Sequence, residues 1–219
     1  MKIGILGTGA VGEHIGSALI KNGHFVLMGS RKAGNEQAVK WKKKGGNNAN
    51  EGSFEDAAIY GDLVFLALNG EHALEAINTF DRGHLDGKIV VDITNPLDFS
   101  QGMPPRILEK YRDTSLGEAI QAALPHAYVV KTLNTVNHEL MVDARLVNKG
   151  AHTLFICGND ANAKNQVKHF LVDNFHWTPD DLLDLGDIRS ARLTESFVPL
   201  WAQIWQATGT PMFNIKVVK

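Results

Sequence analysis

Short apolar runs alternate along the chain with longer segments in which apolar residues recur at helical spacing. The alternation is typical of a parallel sheet with helices on both faces. It predicts strands over 2–7, 24–29, 62–68, 88–93, 127–132, 153–157 and 182–185, with a short weak strand near 47–50. It predicts helices over 14–21, 36–44, 54–60, 71–80, 115–124 and 161–174, then one from about 189 and a last apolar run over 212–218. The predicted fold class is α/β, a doubly wound, mostly parallel Rossmann sheet with a small C-terminal α/β extension.

The 219 residues suffice for one domain, or for one domain with an appendage. We expect a dinucleotide-binding Rossmann domain over 1–150. An extension over 151–219 would complete the substrate cleft and offer a dimer interface. Apolar residues form a wide stripe on the last helix, for which core packing is the default interpretation and a dimer face or a pocket wall the alternative. They are Leu193, Phe197, Leu200, Trp201, Ile204 and Trp205.

A glycine-rich turn follows the first strand directly and leads into the first helix. Its residues are Gly7, Thr8, Gly9, Ala10, Val11 and Gly12, in the spacing G-x-G-x-x-G. Gly7 permits the tight turn, Gly9 lets the backbone approach a pyrophosphate, and Gly12 lets helix and strand pack closely. The helix N-terminus offers N–H groups and a positive dipole end to the same phosphates. The strand–turn–helix context predicts a dinucleotide site.

The end of the second strand indicates which dinucleotide binds. A site for NAD usually places Asp or Glu about 20 residues after the glycines, to accept a hydrogen bond from the ribose 2′-OH. This chain has Ser30, Arg31 and Lys32 there, and the next acid is Glu36. A hydroxyl, a guanidinium and an ammonium suit a 2′-phosphate, which Arg can bind in bidentate fashion. The pattern predicts NADP; the alternative is that Arg31 and Lys32 lie on an ordinary solvated loop.

Asparagines follow three further predicted strands. In open α/β sheets, the loops at the carboxyl ends of the strands line the ligand crevice. We therefore expect three segments to face the cofactor, although an asparagine in a turn is also common without any ligand. They are Leu68-Asn69-Gly70, Thr94-Asn95-Pro96 and Leu133-Asn134-Thr135.

Composition and charge exclude several classes of protein. The net charge of −2 favours neither nucleic acid nor an acidic membrane surface. No apolar run is long enough to span a membrane, and the first strand begins so early that we expect no signal peptide. Cys157 lies in an apolar strand, so we expect its thiol to be buried. It is the only cysteine, so cysteines and histidines at metal-binding spacing are lacking and we expect no metal site. These features predict a cytoplasmic protein without nucleic-acid or membrane partners.

A proton relay beside the hydride step is not visible in the sequence. No Tyr is followed by Lys four residues later, and His126 and His138 lie in segments where a turn histidine is more common than a base. Hydride transfer between two redox cofactors needs mainly the stacking and orientation of two flat rings. A site without an acid–base pair therefore favours transfer from one cofactor to another.

Several linked segments resemble the deazaflavin-dependent (coenzyme F420-dependent) NADP oxidoreductase family. They are Gly29-Ser30-Arg31, Asp92-Ile93-Thr94-Asn95-Pro96-Leu97, the stretch from Ser115 to Gln121, and the stretch from Leu124 to Thr135. The resemblance extends over essentially the whole chain, and the reductase domains of ferric-reducing six-transmembrane proteins are similar. It implies that NADP(H) binds Thr8 to Val11, Ser30 and Arg31. It also implies a nicotinamide near Asn95 and Asn134 and a second ring against C-terminal residues.

The identity of the hydride acceptor stays open at this point. The resemblance favours an NADP-dependent oxidoreductase whose partner is a small-molecule redox acceptor: deazaflavin F420, a flavin or a ferric chelate. A dehydrogenase of small carbonyl or hydroxy compounds is one alternative, although enzymes of the hydroxyacid type usually carry a long helical second domain. An NADPH-binding sensor without catalysis is another. We also expect a homodimer, because cyclic dimers are the commonest assembly.

Overall fold

The computed structural model describes residues 1–218, along which ten strands and eight helices follow one another. The strands are β1 (Lys2–Leu6), β2 (Phe25–Ser30), β3 (Ala49–Ser53), β4 (Leu63–Leu66), β5 (Ile89–Asp92), β6 (Leu97–Asp98), β7 (Arg106–Ile107), β8 (Tyr128–Thr132), β9 (Leu154–Gly158) and β10 (Leu182–Asp184). The helices are α1 (Ala10–Lys21), α2 (Glu36–Gly45), α3 (Phe54–Tyr60), α4 (Ala73–Ile77), α5 (Leu116–Ala123), α6 (His138–Val142), α7 (Ala161–Phe175) and α8 (Ala191–Thr208). Within these residues, no helix is both long and apolar enough to pass through a bilayer.

Eight strands form one sheet in the order β10-β9-β8-β5-β4-β1-β2-β3. All neighbours in it are parallel except β8 and β9, which run in opposite directions. The predicted mostly parallel, doubly wound Rossmann sheet is confirmed. The strand order reverses between β1 and β4, and ligands of such sheets bind outside the carboxyl ends of the strands at this point.

Both faces of the sheet are covered, which explains why its strands are apolar without alternation. Successive residues on one strand belong to different apolar clusters: Val91 and Val130 to one, Val90 and Val129 to the other. Each strand therefore contributes side chains to two cores, and the residues left for a ligand are those at the strand ends.

The direction of β9 and β10 places the C-terminal extension in an unexpected orientation. Gly158, the last residue of β9, lies opposite Val130 in the middle of β8, Ile156 lies opposite Thr132 at the end of β8, and β10 is parallel to β9. The carboxyl ends of β9 and β10 therefore point away from the edge where β1, β4, β5 and β8 end. Only the starts of these two strands, and the elements that pack near them, lie on the side of the crevice.

Several element boundaries differ from the sequence prediction. Helix α1 begins at Ala10 rather than at 14, the weak strand lies at 49–53, and α4 covers only 73–77, after which Thr79 N bonds to Ala76 O, three residues back. Helix α6 and the β6–β7 hairpin were not predicted. The run over 212–218 forms no strand, although Ile215 O accepts a hydrogen bond from Thr153 N.

Core packing was the wrong interpretation for much of the apolar stripe on α8. Leu193 and Leu200 are 71% and 54% exposed, and Trp205 is 38% exposed. The buried side of α8 carries smaller residues instead: Ala191, Thr194, Glu195, Val198 and Ala202. Helices α5 and α8 approach so closely that a Cβ on Gly117 would lie 2.8 Å from Ala191 Cβ. Small residues permit that approach, Leu193 and Leu200 lie on the opposite face, and Trp205 lies near the C-terminal end of the helix.

The single cysteine is predicted to be unreactive in the native protein. Cys157 is fully buried in β9, and burial raises the pKa of its thiol to about 12, so the thiol stays protonated at mildly alkaline pH. We expect its reaction with a disulfide reagent such as DTNB to be on the order of 100-fold slower in the native state than in concentrated urea. Fast release of one thionitrobenzoate from the native protein would contradict this prediction.

Candidate functional site

Two glycines of the glycine-rich turn are required by close packing of the backbone. Gly7 N donates to Gly29 O at 3.0 Å, and Gly7 has a φ of 128°. A Cβ on Gly7 would lie 2.1 Å from Ala67 O, and a Cβ on Gly12 would lie 2.4 Å from Gly7 O. These glycines hold β1, β2, β4 and the start of α1 together.

Gly9 differs from these two glycines because it faces open space. A Cβ on Gly9 would meet no heavy atom of residues 1–218 within 4 Å. Gly9 is the N-cap of α1, and none of the described side chains caps this helix, whereas Asn35, Ser53 and Ser115 cap α2, α3 and α5. An exposed helix start with free N–H groups and a vacant approach is the geometry that a pyrophosphate requires.

The turn after β2 carries one buried hydroxyl that holds the turn and two exposed cationic side chains. Ser30 is buried, and its hydroxyl donates to Lys32 O at 2.6 Å, so in this arrangement it can only accept from a ligand. Arg31 and Lys32 are exposed. Glu51, which no sequence pattern marks, lies on the neighbouring strand β3, and its carboxylate accepts a hydrogen bond from Gly34 N at 2.9 Å and so closes the turn.

The predicted asparagines follow adjacent strands and lie at one edge of the sheet. Asn95 and Asn134 form a reciprocal pair: Asn95 Nδ2 donates to Asn134 O at 2.8 Å, and Asn134 Nδ2 donates to Asn95 Oδ1 at 2.9 Å. Gly70 packs against this pair, since a Cβ there would lie 2.0 Å from Asn95 O. Asn69 accepts from Glu71 N at 2.9 Å. The ends of β4, β5 and β8 are thus joined into one surface.

The remaining predicted site residues differ in how exposed they are. Ala10 is exposed and Val11 is half-buried beside the glycines, while half-buried Thr8 donates to Gln37 Oε1 at 3.4 Å and so links the turn to α2. Leu68 is half-buried and Pro96 is buried. Thr94 is buried, and its hydroxyl donates to Asp92 Oδ1 at 2.7 Å, so its side chain faces the protein interior.

A buried ionic cluster lies directly behind the Asn95 turn. Lys131 Nζ donates to Asp92 Oδ2 at 2.9 Å and lies 2.8 Å from Glu195 Oε1, and all three side chains are almost completely inaccessible. Burial alone would lower the pKa of Lys131, but the two carboxylates more than offset it and raise the pKa above its ordinary value. Lys131 is therefore charged at neutral pH.

His126 and His138 lie at opposite ends of β8, one before the strand and one after it. His126 precedes β8, whereas Asn134 follows it, and a strand of this length separates them by roughly 16 Å or more. His138 begins α6 near the crevice, with its ring centroid 4.3 Å from that of His14. Burial, and then the neighbouring His14, lower the pKa of His138, so its neutral form is favoured at neutral pH.

The sheet order, the uncapped start of α1 and the joined strand ends define a dinucleotide-binding protein of the Rossmann class. A family model described as NADP oxidoreductase, coenzyme F420-dependent, matches residues 2–96. A crystal structure from Arthrobacter sp. FB24, of a protein proposed to be an F420-dependent NADP-reductase, is 41% identical over the whole of both chains with a TM-score of 0.90. The chain belongs to this family of NAD(P)-dependent oxidoreductases, and the predicted resemblance is confirmed.

More distant relatives are longer than this chain. Metalloreductase STEAP3 of Rattus norvegicus is 28% identical over 91% of this chain, which covers 36% of that protein. The chain thus spans little more than a third of this curated relative. A reductive aminase of Aspergillus terreus, solved with NADPH and ethyl-5-oxohexanoate, is 17% identical with a TM-score of 0.65 over 95% of this chain and 62% of that one. At this identity the likeness shows the fold alone.

The paired asparagines are predicted to matter more for hydride transfer than either histidine. Asn95→Leu removes both amide hydrogen bonds of the pair, so we expect kcat to fall by about 10- to 100-fold through lost orientation. His126→Gln and His138→Gln should each cost well under the roughly 100-fold typical of losing a general acid or base. The measurement is steady-state oxidation of NADPH by variants shown to be folded. A thousandfold loss in a histidine variant with unchanged NADPH affinity would instead indicate proton-coupled dehydrogenase chemistry.

Proposed function

We propose that this protein transfers hydride between NADPH and a second, small-molecule redox acceptor with a flat ring, such as deazaflavin F420 or a flavin. The observation that carries the proposal is the single edge that joins the uncapped α1 start, the cationic turn at Arg31 and the Asn95–Asn134 pair. Such an edge holds the phosphates, the ribose and the nicotinamide of one extended dinucleotide.

The preference for NADP rests on the turn after β2. Arg31 and Lys32 are exposed there, and Ser30 and Glu51 are engaged in holding the turn. Two cations free to reach a 2′-phosphate favour NADP over NAD, since the phosphate carries nearly two negative charges.

Orientation is the main contribution that the edge offers to the reaction. NADPH supplies the hydride when it is bound. The amides of Asn95 and Asn134 can hold the nicotinamide carboxamide, and the C-terminal extension would complete the cleft for the second ring. Hydride transfer between stacked rings, to a ring carbon in a deazaflavin or a ring nitrogen in a flavin, needs no side-chain proton at that step, which agrees with strand ends that carry amides.

A ferric chelate is the second candidate acceptor, and the metalloreductase relatives favour it because they match 91% of this chain. A single experiment separates the candidates: NADPH oxidation measured with F420, FMN, ferric citrate and a panel of small aldehydes and ketones. Gly9→Val serves as the background control. Saturable turnover with F420 or FMN supports the proposal. Turnover with ferric citrate alone supports the second candidate, turnover with carbonyl compounds alone indicates a dehydrogenase, and binding without turnover indicates a sensor.

We propose in addition that the exposed face of α8 binds a second copy of the chain. Leu193 and Leu200 lie two turns apart on this face and expose 71% and 54% of their surface. Burying such a face in a twofold contact is favourable by the hydrophobic effect. Light scattering at micromolar concentration should give twice the 24.0 kDa chain mass. Leu200→Glu should give the monomer mass, and a monomeric wild-type protein would contradict the proposal.

A further inference from the structure

The buried cluster behind the Asn95 turn uses all of the hydrogen-bonding capacity of its lysine. Lys131 Nζ has three N–H donors and three close acceptors: Asp92 Oδ2 at 2.9 Å, Thr94 O at 2.6 Å and Glu195 Oε1 at 2.8 Å. Asp92 Oδ1 in turn accepts from Thr94 N at 2.9 Å and from the Thr94 hydroxyl. The residue that precedes Asn95 is therefore fixed at its amide, its hydroxyl and its carbonyl.

The same cluster ties the turn to the C-terminal extension. Glu195 lies on α8, and its two carboxylate oxygens accept from Leu116 N and Gly117 N at 2.9 Å each, at the start of α5. A single ammonium thus connects the ends of β5 and β8 with α5 and α8. Buried ion pairs are poor evidence for stability, because desolvation offsets most of their attraction. Their better attested use is to specify one arrangement of the groups around them.

The groups whose arrangement Lys131 fixes are the two paired asparagines, Asn95 and Asn134. Thr94 immediately precedes Asn95, and Lys131 is three residues before Asn134 on the neighbouring strand. Loss of the ammonium would release the Thr94 carbonyl and leave the carboxylates of Asp92 and Glu195 buried without their cation. The turn would then lose its fixed geometry, and the two hydrogen bonds between Asn95 and Asn134 would no longer be held in place.

We infer that Lys131 is a positioning residue that holds the nicotinamide half of the bound dinucleotide in place, through the Thr94 turn and the Asn95–Asn134 pair. The inference rests on the proposed NADPH site. The adenosine half would bind on the other side of β1, at the ends of β1 and β2, and neither of these strands contacts the cluster. Lys131 should therefore affect one half of the ligand and leave the other half unchanged.

The test compares two ligands by calorimetry: NADPH, and adenosine 2′,5′-bisphosphate, which lacks the nicotinamide half. For Lys131→Met we expect NADPH affinity to fall by about tenfold or more, and affinity for the bisphosphate to stay within about twofold of wild type. Equal weakening of both ligands would show a general structural role and overturn the inference, as would unchanged NADPH affinity. If wild type itself binds no NADPH, the proposed function fails and the inference fails with it; if wild type binds NADPH and Lys131→Met leaves the ratio of the two affinities unchanged, only the inference fails.

Lys164→Met is the matched control. Lys164 is also a buried lysine, and its Nζ donates to Asp184 Oδ1 at 2.8 Å and to Gly186 O at 2.9 Å. Lys164 is on α7, and its ammonium reaches the carboxyl end of β10, on the side of the sheet opposite to the Asn95–Asn134 pair. This variant should lose thermal stability and keep the wild-type ratio of the two affinities. If Lys131→Met does not fold, Asp92→Asn provides the same test with the volume preserved, and an unchanged ratio there overturns the inference.

Discussion

Gly9→Val is expected to abolish NADPH binding while the protein stays folded. Gly9 has φ −77° and ψ −179°, an extended conformation that valine adopts readily, and a Cβ would meet no heavy atom of the described residues. The added side chain would occupy the approach of the pyrophosphate to the start of α1. We expect affinity to fall by about 100-fold or more, equivalent to about 2.8 kcal/mol. Calorimetric titration with NADPH measures it.

The other glycines of the turn provide the contrast that makes this test specific. Gly7→Val should unfold or strongly destabilise the protein, because its Cβ would lie 2.1 Å from Ala67 O at a φ of 128°. The thermal midpoint of Gly9→Val should in contrast stay close to that of wild type. Undiminished NADPH affinity in a folded Gly9→Val protein would refute the assignment of the dinucleotide site.

Arg31→Glu is expected to remove the preference for NADPH over NADH. For wild type we expect NADPH to bind at least about tenfold more tightly than NADH, equivalent to about 1.4 kcal/mol. In the variant, a carboxylate replaces the guanidinium that we propose binds the 2′-phosphate, so attraction would become repulsion. NADPH affinity should fall by about 100-fold, whereas NADH affinity should stay within about threefold. Both affinities are measured by titration at one ionic strength, because salt screens exposed charges.

Lys43→Glu controls for the change in total charge. Lys43 is exposed in the last turn of α2, at the end of the helix that lies away from the turn after β2, and the substitution alters net charge by the same amount. It should leave the ratio of NADPH to NADH affinity unchanged. If Arg31→Glu lowers both affinities equally, Arg31 has a structural role, and the preference must arise elsewhere.

The features that local sequence determines were predictable. Gly7, Gly9 and Gly12 act within one strand–turn–helix unit, so their spacing alone indicated the start of the site. The family resemblance and the parallel sheet were likewise confirmed. The asparagines could be placed at strand ends, but their pairing could not, since Asn95 and Asn134 meet only through the register of β5 and β8.

Features that depend on distant contacts were not predictable. Lys131 lies in an apolar strand, and its partner Glu195 comes from α8, far along the chain, so no local pattern marks the cluster. The direction of β9 depends on the path of the connection between β8 and β9. The pattern of apolar residues does not predict that path. On α8, the apolar stripe predicted the buried face wrongly, because packing against Gly117 requires small residues such as Ala191 rather than large ones.

The buried state of the only thiol makes this chain a convenient template for spectroscopic labels. Cysteines introduced together at exposed Ser100 and at exposed Gln203 on α8 would be open to maleimide fluorophores, and Cys157 could stay buried in β9. Energy transfer between dyes at these two positions would report whether the distance between α8 and the loop after β6 changes when NADPH binds. No stabilising core residue would have to be replaced to make that measurement.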